Sequence, residues 1–593
     1  MLRFAYAPYL ISRRTVAFVF TILHTISARS IQKPGLQLPS DAAENARHTI
    51  EIFKSAYQSY KSFAWGHDSL APLTNNYVDD RNGWGATIVD SLSTMHVMGL
   101  EDSFREGVEF ALNIDFTSSK TNSTVSLFES TIRYVGGILS AYELDGKKDK
   151  RLIDKAQELA DKLIYGWVDD NDIPYNKLNF TTNRPVIDET GLAVAGTLVL
   201  EWSRLSEYTG NNKYRDLSEK AMRRIGLLPA PFPGLPVQMV DPKTNKPNGT
   251  YVTWGAGSDS YFEYLIKYGR LTNNADTIWT KQWLTAVDSS ITHLAQEAVD
   301  TDIKGLLYLG EWYNGTFRHL GSHLGCFHGG NWIMGGRLTD NDTIVDYGLK
   351  LTDTCWNTYE KTATGLGPEV FGFVGPDGDR AGKVKPSPHD LAFYKENGFY
   401  SYNDSMWAYY DLRPEVLESN FYAWRATGDI KYQQRAHAAL MSIEKYCKVN
   451  GGYVGIGDVR LVEQAFYINQ TETFLFAEVL KYLYLTFADP HTLDLDEWVV
   501  LKYLYLTFAD PHTLDLDEWV MNTEAHPLMA PPLLDTYAIT RWVGPVEQFR
   551  LRAVRTAVTM ARSARYLNAL AWIVAIILLG TSWRLRHRVL KEE

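Results

Sequence analysis

Glu129 and Arg133 stand four residues apart in the stretch Leu127–Tyr142, which reads LFESTIRYVGGILSAY. On a helix that spacing puts both side chains on one face, where they form an ion pair. A surface salt bridge on an amphipathic helix would satisfy the same spacing. Carboxylates alone do not choose a chemistry, because the chain carries 70 Asp and Glu residues. No C-x-x-C or H-E-x-x-H pattern points to zinc. Gly136 and Gly137 are costly in mid-helix, roughly 1 kcal/mol each relative to Ala, and predict close packing against another backbone.

The elements that must position these residues are helical. Ser40–Ala64 begins with Asp41 and Glu44 in capping-box spacing and carries the apolar stripe Ile50, Phe53, Tyr57 and Tyr60. Asn82-Gly83-Trp84-Gly85 is a loop leading to a helix over 86–99. Helical patterns recur near 102–113, 128–145, 149–165, 188–209, 212–226, 259–270, 276–299, 326–337, 341–361, 403–411, 414–427, 430–448 and 471–487. Short loops rich in Gly, Pro, Asn and Asp separate them, and no linker divides 41–528. Such a series is either an open solenoid or a closed α/α barrel, and the absence of a sequence repeat disfavours the solenoid. One exact repeat exists: Leu480–Val499 recurs as Leu501–Val520. A closed barrel needs this segment once, so one copy should be extruded.

Composition narrows the partners. A hydrophobic content of 45% supplies a large core, and a net charge of −11 argues against nucleic acid. The 17 Trp and 35 Tyr are mostly core residues, with some available as flat faces for sugars. Arg3, Arg13 and Arg14 precede the apolar run Val16–Ile26, with Ser27-Ala28-Arg29-Ser30 following, so residues 1–30 read as a signal peptide or signal-anchor. Seven N-x-[ST] sequons, at Asn122, Asn179, Asn248, Asn314, Asn341, Asn403 and Asn469, agree with secretory entry. The three cysteines Cys326, Cys355 and Cys447 allow one disulfide and one thiol. Beyond a tail at 529–565, the apolar segment Leu567–Trp583 (span 566–584) precedes Arg584, Arg586, Arg588 and Lys591. It reads as a short C-terminal anchor or an amphipathic tail.

The stretch around Glu129 closely resembles the class I α-1,2-mannosidases of glycoside hydrolase family 47, and further motifs follow in family order. Gly255-Ala256-Gly257-Ser258-Asp259-Ser260-Tyr261-Phe262-Glu263-Tyr264 is similar to the family's D-S-[FY]-[YF]-E-Y segment. Arg413-Pro414-Glu415 with Glu418-Ser419 resembles R-P-E-x-x-E-S. Thr471–Glu478 (TETFLFAE) resembles the last barrel helix, and Asn522-Thr523-Glu524-Ala525-His526-Pro527 matches N-T-E-A-H-P.

The resemblance implies an all-α (α/α)7 barrel of helical hairpins with short β segments in loops. It implies an inverting exo-α-1,2-mannosidase that trims high-mannose N-glycans on glycoproteins, acting as a monomer in the endoplasmic reticulum or Golgi lumen, membrane-attached, or secreted. Glu129 would be the acid, directly or through a water, with Glu415 the base and Asp259 an assisting carboxylate. In an inverting enzyme the two carboxyl groups lie roughly 6.5–9.5 Å apart. Arg133, Arg413, Glu418, Phe474, Glu478 and Glu524 would contact the glycan. Thr523 would bind Ca²⁺ through its hydroxyl and carbonyl, with waters completing the shell. The family's disulfide would pair Cys326 with Cys355, worth about 3.6 kcal/mol by chain entropy.

Gly257 stands where the stricter endoplasmic-reticulum enzymes carry Arg, which aligns the chain with the roomier fungal processing and secreted branch. Val194 departs from the family, which often has Glu there, and the duplication falls between Glu478 and Thr523. These departures leave a catalytically impaired, lectin-like relative and a degradation-targeting mannosidase-like protein as alternatives.

Overall fold

Apolar residues in Arg151–Leu163 recur at three- and four-residue spacing. The buried set is Leu152, Ile153, Ala156, Leu159, Ala160 and Leu163, one stripe of an amphipathic helix. Asp259–Leu271 is different: every residue after Asp259 is buried, including Glu263, Lys267 and Arg270. The two patterns mark an outer and an inner ring.

The computed structural model describes residues 30–378, 381, 384–403, 406–489 and 514–533. The leader with Val16–Ile26, the apolar segment Leu567–Trp583 with its basic flank, and the middle of the duplication (490–513) lie outside the described residues. Among the described residues no helix is long and apolar enough to cross a membrane.

Helices alternate between the rings along the chain. α1 (Ala42–Phe63) is outer and α2 (Ala86–Val97) inner; α3 (Glu101–Leu112) is outer and α4 (127–144) inner. α5 (Arg151–Leu163) is outer, and α6 (Leu192–Gly196) with α7 (Val199–Thr209) forms a bent inner segment. α8 (Lys213–Gly226) and α10 (Ile278–His293) are outer, each followed by an inner helix, α9 (Asp259–Leu271) and α11 (His328–Leu338). After the outer α12 (Asp342–Glu360), an excursion carries α13 (Pro388–Asn397). The inner α14 (Glu415–Thr427), outer α15 (Lys431–Cys447) and inner α16 (475–487) complete the series. Each inner helix packs on the next, and α16 returns to α2 and α1, closing an (α/α)7 barrel. Antiparallel sheets of two or three short strands occupy the loops.

Gly136 and Gly137 explain how α4 reaches the centre. A Cβ on Gly137 would lie 2.9 Å from the backbone oxygen of Val89 in α2, and one on Gly136 would lie 2.5 Å from Asn522 Nδ2. Bare backbone is required at both contacts.

Three expectations are corrected. Asp41 makes no side-chain cap, because it already has helical φ/ψ and only its carbonyl receives the first turn's N–H groups. The capping box instead opens α13, where Ser387 and Asp390 exchange hydrogen bonds. The expected helix over 403–411 does not form: Met406 has 3-10 geometry and residues 408–411 run extended, with Tyr410 bridged to Ile456 and with Ala408 and Tyr410 buried while Trp407 and Tyr409 are not. The expected helix over 188–209 begins with a strand at Thr190–Gly191 and breaks between α6 and α7.

The duplication is used in parts. Leu480–Phe487 of the first copy is the buried second half of α16, continuous with Glu478. Leu514–Val520 of the second copy leads to Asn522 and pairs Trp519–Met521 with Pro527–Met529. Asp517 of that copy accepts hydrogen bonds from Ser30 and from the Ile31 backbone N–H, tying down the start of the described chain.

Candidate active site

Three carboxyl groups sit in the first turns of three inner helices. Glu129 lies behind the N-cap Ser126, whose hydroxyl accepts from the Glu129 N–H at 3.2 Å. Asp259 opens α9, and its Oδ1 accepts from the Ser260 N–H at 2.9 Å. Glu415 opens α14 immediately after Pro414. Helix N-termini carry partial positive charge and favour carboxylates, so converging first turns build an anionic cup at modest cost. The cup is a cavity of about 410 Å³. Glu129, Arg133, Asp259, Arg413, Glu415, Glu418, Phe474, Glu478, Thr523 and Glu524 all line it, as does Val194.

Arg133 is the hub on one side. It lies in a π-turn spanning Ser130–Val135 and is buried. Its Nε donates to Glu129 Oε2 at 2.8 Å. Its Nη1 donates to Glu524 Oε2 at 2.6 Å, Asp90 Oδ2 at 3.1 Å and Thr473 Oγ1 at 3.1 Å. Arg81 reaches Glu129 at 3.3 Å. Buried Asp68 holds the Arg81 loop by accepting from the N–H groups of Arg81, Gly83, Gly85 and Ala86. Burial opposes ionisation of Glu129, but Arg133 and Arg81 outweigh it and hold the carboxyl below its ordinary value.

Glu415 is set differently. His323 Nδ1 lies 2.6 Å from Glu415 Oε2, and His323 Nε2 lies 2.7 Å from the Tyr359 hydroxyl. Tyr359 stays protonated because burial pushes its pKa well up. The chain therefore runs from Tyr359 O–H to Nε2 and from Nδ1–H to the carboxylate. Burial of Glu415 is outweighed by His323 and Arg413, so its pKa is lowered. Arg413 donates to Glu369 at 2.6 Å and lies 5.9 Å from the centroid of Phe474. Leu412 adopts φ +57°, a left-handed turn that lets both Asp411 and Arg413 line the cavity.

Asp259 has no cation beside it among the groups that set its charge. Burial, then the neighbouring charges of Glu263 and Glu415, push its pKa up to about 7 despite the Ser260 N–H. Glu129, expected as the acid, is thus held ionised, whereas Asp259, expected as an assisting carboxylate, carries a proton into the neutral range.

The floor is crowded with acid. Burial and mutual repulsion push Glu418 and Glu524 up to about 8, in spite of Lys267 and Arg133 respectively, and Glu478 well above the ordinary range. Glu478 lies in a second π-turn, Leu475–Val479. Lys267 is salt-bridged to Glu263 at 2.5 Å. Thr523 faces this floor, and neither its hydroxyl nor its carbonyl has a hydrogen-bond partner among the described residues. Behind it, Ala525 takes φ +53° and its carbonyl accepts from buried Lys481 at 2.6 Å. No three His, Cys, Asp or Glu side chains converge as a metal-binding set among the described residues. A hard cation is nonetheless compatible with the free Thr523 oxygens and the crowded acids of the floor, because it would relieve their repulsion.

Cys326 and Cys355 form the disulfide, and Cys447 is a buried thiol. The bridge ties the turn after His323 to α12, while Ser419 of α14 donates to the Cys326 carbonyl at 2.5 Å. Arg81, Asp90, His323, Glu369 and Glu263 also shape the site but were not assigned roles from sequence. Their partners lie 43–92 residues away for the Asp90, Glu369 and His323 contacts. Linear spacing carries no such signal.

The model of glycosyl hydrolase family 47 matches residues 52–501 and 500–530, two pieces that meet within the duplication. The chain is 39% identical over 513 residues to a probable mannosyl-oligosaccharide α-1,2-mannosidase 1B of Aspergillus clavatus, covering 84% of this chain and 95% of the relative. It is 37% identical over 531 residues to mannosyl-oligosaccharide α-1,2-mannosidase 1B of Aspergillus oryzae, covering 85% and 98%. Among solved structures it is similar to the α-1,2-mannosidase from Trichoderma reesei, with TM-score 0.75 and 32% identity over 82% of this chain and 99% of that one.

Proposed function

Because the chain belongs to glycosyl hydrolase family 47, we propose that it is an inverting exo-α-1,2-mannosidase that trims α-1,2-linked mannose from high-mannose N-glycans. The observation that carries this reading is the convergence of Glu129, Asp259 and Glu415, each from a different inner helix, on one cavity with Arg413, Phe474 and Thr523.

Inversion needs a carboxylate that activates water and an acid that protonates the leaving oxygen. Glu415 suits the base: it is ionised, and His323 fixes the orientation of its Oε2. Asp259 suits the acid, since it holds a proton to about pH 7. Glu129, ionised between Arg133 and Arg81, suits a positioning carboxylate that keeps Arg133 directed at the sugar and Glu524. This assignment departs from the role the resemblance implies for Glu129. Phe474 offers a ring face to the sugar, backed by Arg413. Arg133, Glu418, Glu478 and Glu524 offer hydrogen bonds to hydroxyl groups.

Ca²⁺ suits the floor, with Thr523 supplying hydroxyl and carbonyl oxygens and waters the rest. Bound there, the ion would supply positive charge that orients the 2- and 3-hydroxyls of the sugar. Secretory residence is supported by the disulfide and by the seven sequon asparagines, none of which is buried.

The test is mannose release from an α-1,2-linked disaccharide with and without chelator. Release that stops on chelation and returns with Ca²⁺ supports the reading. Val194, which puts an apolar side chain on the cavity wall, favours a second reading as a glycan binder without turnover. Tight oligosaccharide binding with no release would select it.

A further inference from the structure

After a bend at Trp407, residues 408–411 run extended, ending at Asp411 in the lining of the cup. Glu369 and Val370 donate backbone hydrogen bonds to Tyr409 and Trp407 on one side, and Tyr410 pairs with Ile456 on the other. In such a ribbon alternate side chains share a face. Ala408 and Tyr410 are buried against the barrel, so Trp407, Tyr409 and Asp411 share the opposite face. Trp407 and Tyr409 are half-buried, with ring centroids 6.2 Å apart and planes inclined by 30°. Gly457, beside Ile456 on the neighbouring strand, leaves its side-chain space to Phe466. A Cβ there would lie 2.7 Å from the Phe466 ring, which is 58% exposed. Asp411 ends the row inside the cup, and its Oδ1 is buried without a hydrogen-bond partner.

We propose that Trp407 and Tyr409, with Asp411 at their inner end, form a distal subsite for hexose residues of the same glycan whose terminal mannose occupies the cup. The inference rests on the enzyme reading above and names how its oligosaccharide is held. A cavity of about 410 Å³ lies at the low end of the range that encloses a small ligand, about 300–1,000 Å³. A branched oligosaccharide must therefore continue over the rim. Two neighbouring ring faces suit the C–H faces of successive pyranoses, and Asp411 lines the cup where the strip meets it. The strip is continuous with the cup through Asp411 and Arg413, which selects a sugar chain over an unrelated partner.

The experiment compares wild type, Trp407→Ala, Tyr409→Ala and Trp407→Phe on a free high-mannose oligosaccharide and on an α-1,2-linked mannose disaccharide. The alanine variants should lose roughly 3- to 10-fold in kcat/KM on the oligosaccharide, mainly through KM. Activity on the disaccharide should stay within about 2-fold, and Trp407→Phe should retain most of the oligosaccharide rate. Equal losses on both substrates, or no loss on either, would overturn the subsite. A loss seen only with intact glycoprotein would also overturn it, because the strip would then be holding polypeptide. If wild type cleaves neither substrate, the enzyme reading fails separately. Calorimetric titration with the oligosaccharide then decides the subsite: weaker binding by Trp407→Ala supports it, and unchanged binding refutes it.

Discussion

Replacing Asp259 with Asn tests the charge assignment without depending on turnover. Burial raises the Asp259 pKa from 3.8 to about 7. A shift of about 3 units corresponds to roughly 4 kcal/mol against the ionised form in the folded state. The sign follows from linkage: the folded state binds the proton more tightly than the unfolded one. Stability from this group is fully present below pH 4 and is lost as pH rises through about 7. Asparagine removes the dependence. The stability of Asp259→Asn relative to wild type should therefore rise between pH 4 and pH 8, by at most about 4 kcal/mol. The assay is denaturant unfolding of both proteins in chelator at pH 4.5, 6 and 8. A difference that stays flat with pH would refute the raised pKa, and with it the case for Asp259 as proton donor.

Four further outcomes are expected. His323→Ala should raise the Glu415 pKa, because burial then acts with less opposition, so the acid limb of the kcat/KM profile should move to higher pH. Glu129→Gln should leave Arg133 short of one carboxylate partner and lower kcat/KM, while the alkaline limb near pH 7 persists because it belongs to Asp259. Gly137→Ala should lower stability by about 1–3 kcal/mol, read as a lower melting temperature, since its Cβ would press on the Val89 backbone. Deleting residues 490–510 leaves a single copy of the duplicated segment and shortens the connection between residues 489 and 514 from 24 residues to 3. By chain length alone this stabilises by about 2 kcal/mol, and activity should be retained.

Legibility in the sequence varied with the range of the interaction. The Glu129–Arg133 pair and the close approach at Gly136–Gly137 are local, and both appear in the structure. Outer helices such as α5 are legible because one face meets solvent. Inner helices hide their role: α9 carries Glu263, Lys267 and Arg270 and reads as a half-exposed helix, yet the ion pair of Glu263 with Lys267 allows it to be buried all round. Residues 403–411 read as helix because aromatic residues follow one another there, and the alternation of buried and outward positions over 407–411 becomes visible only against Ile456 and Val370. His323 was visible only as a neighbour of Cys326, since its partner Glu415 lies 92 residues away.

The most direct test of the proposed chemistry is proton NMR of the first mannose released by wild type from an α-1,2-linked mannose disaccharide in the presence of Ca²⁺. An inverting enzyme with Glu415 as base must release β-mannose before mutarotation. Release of α-mannose, or no release at all, would contradict the account.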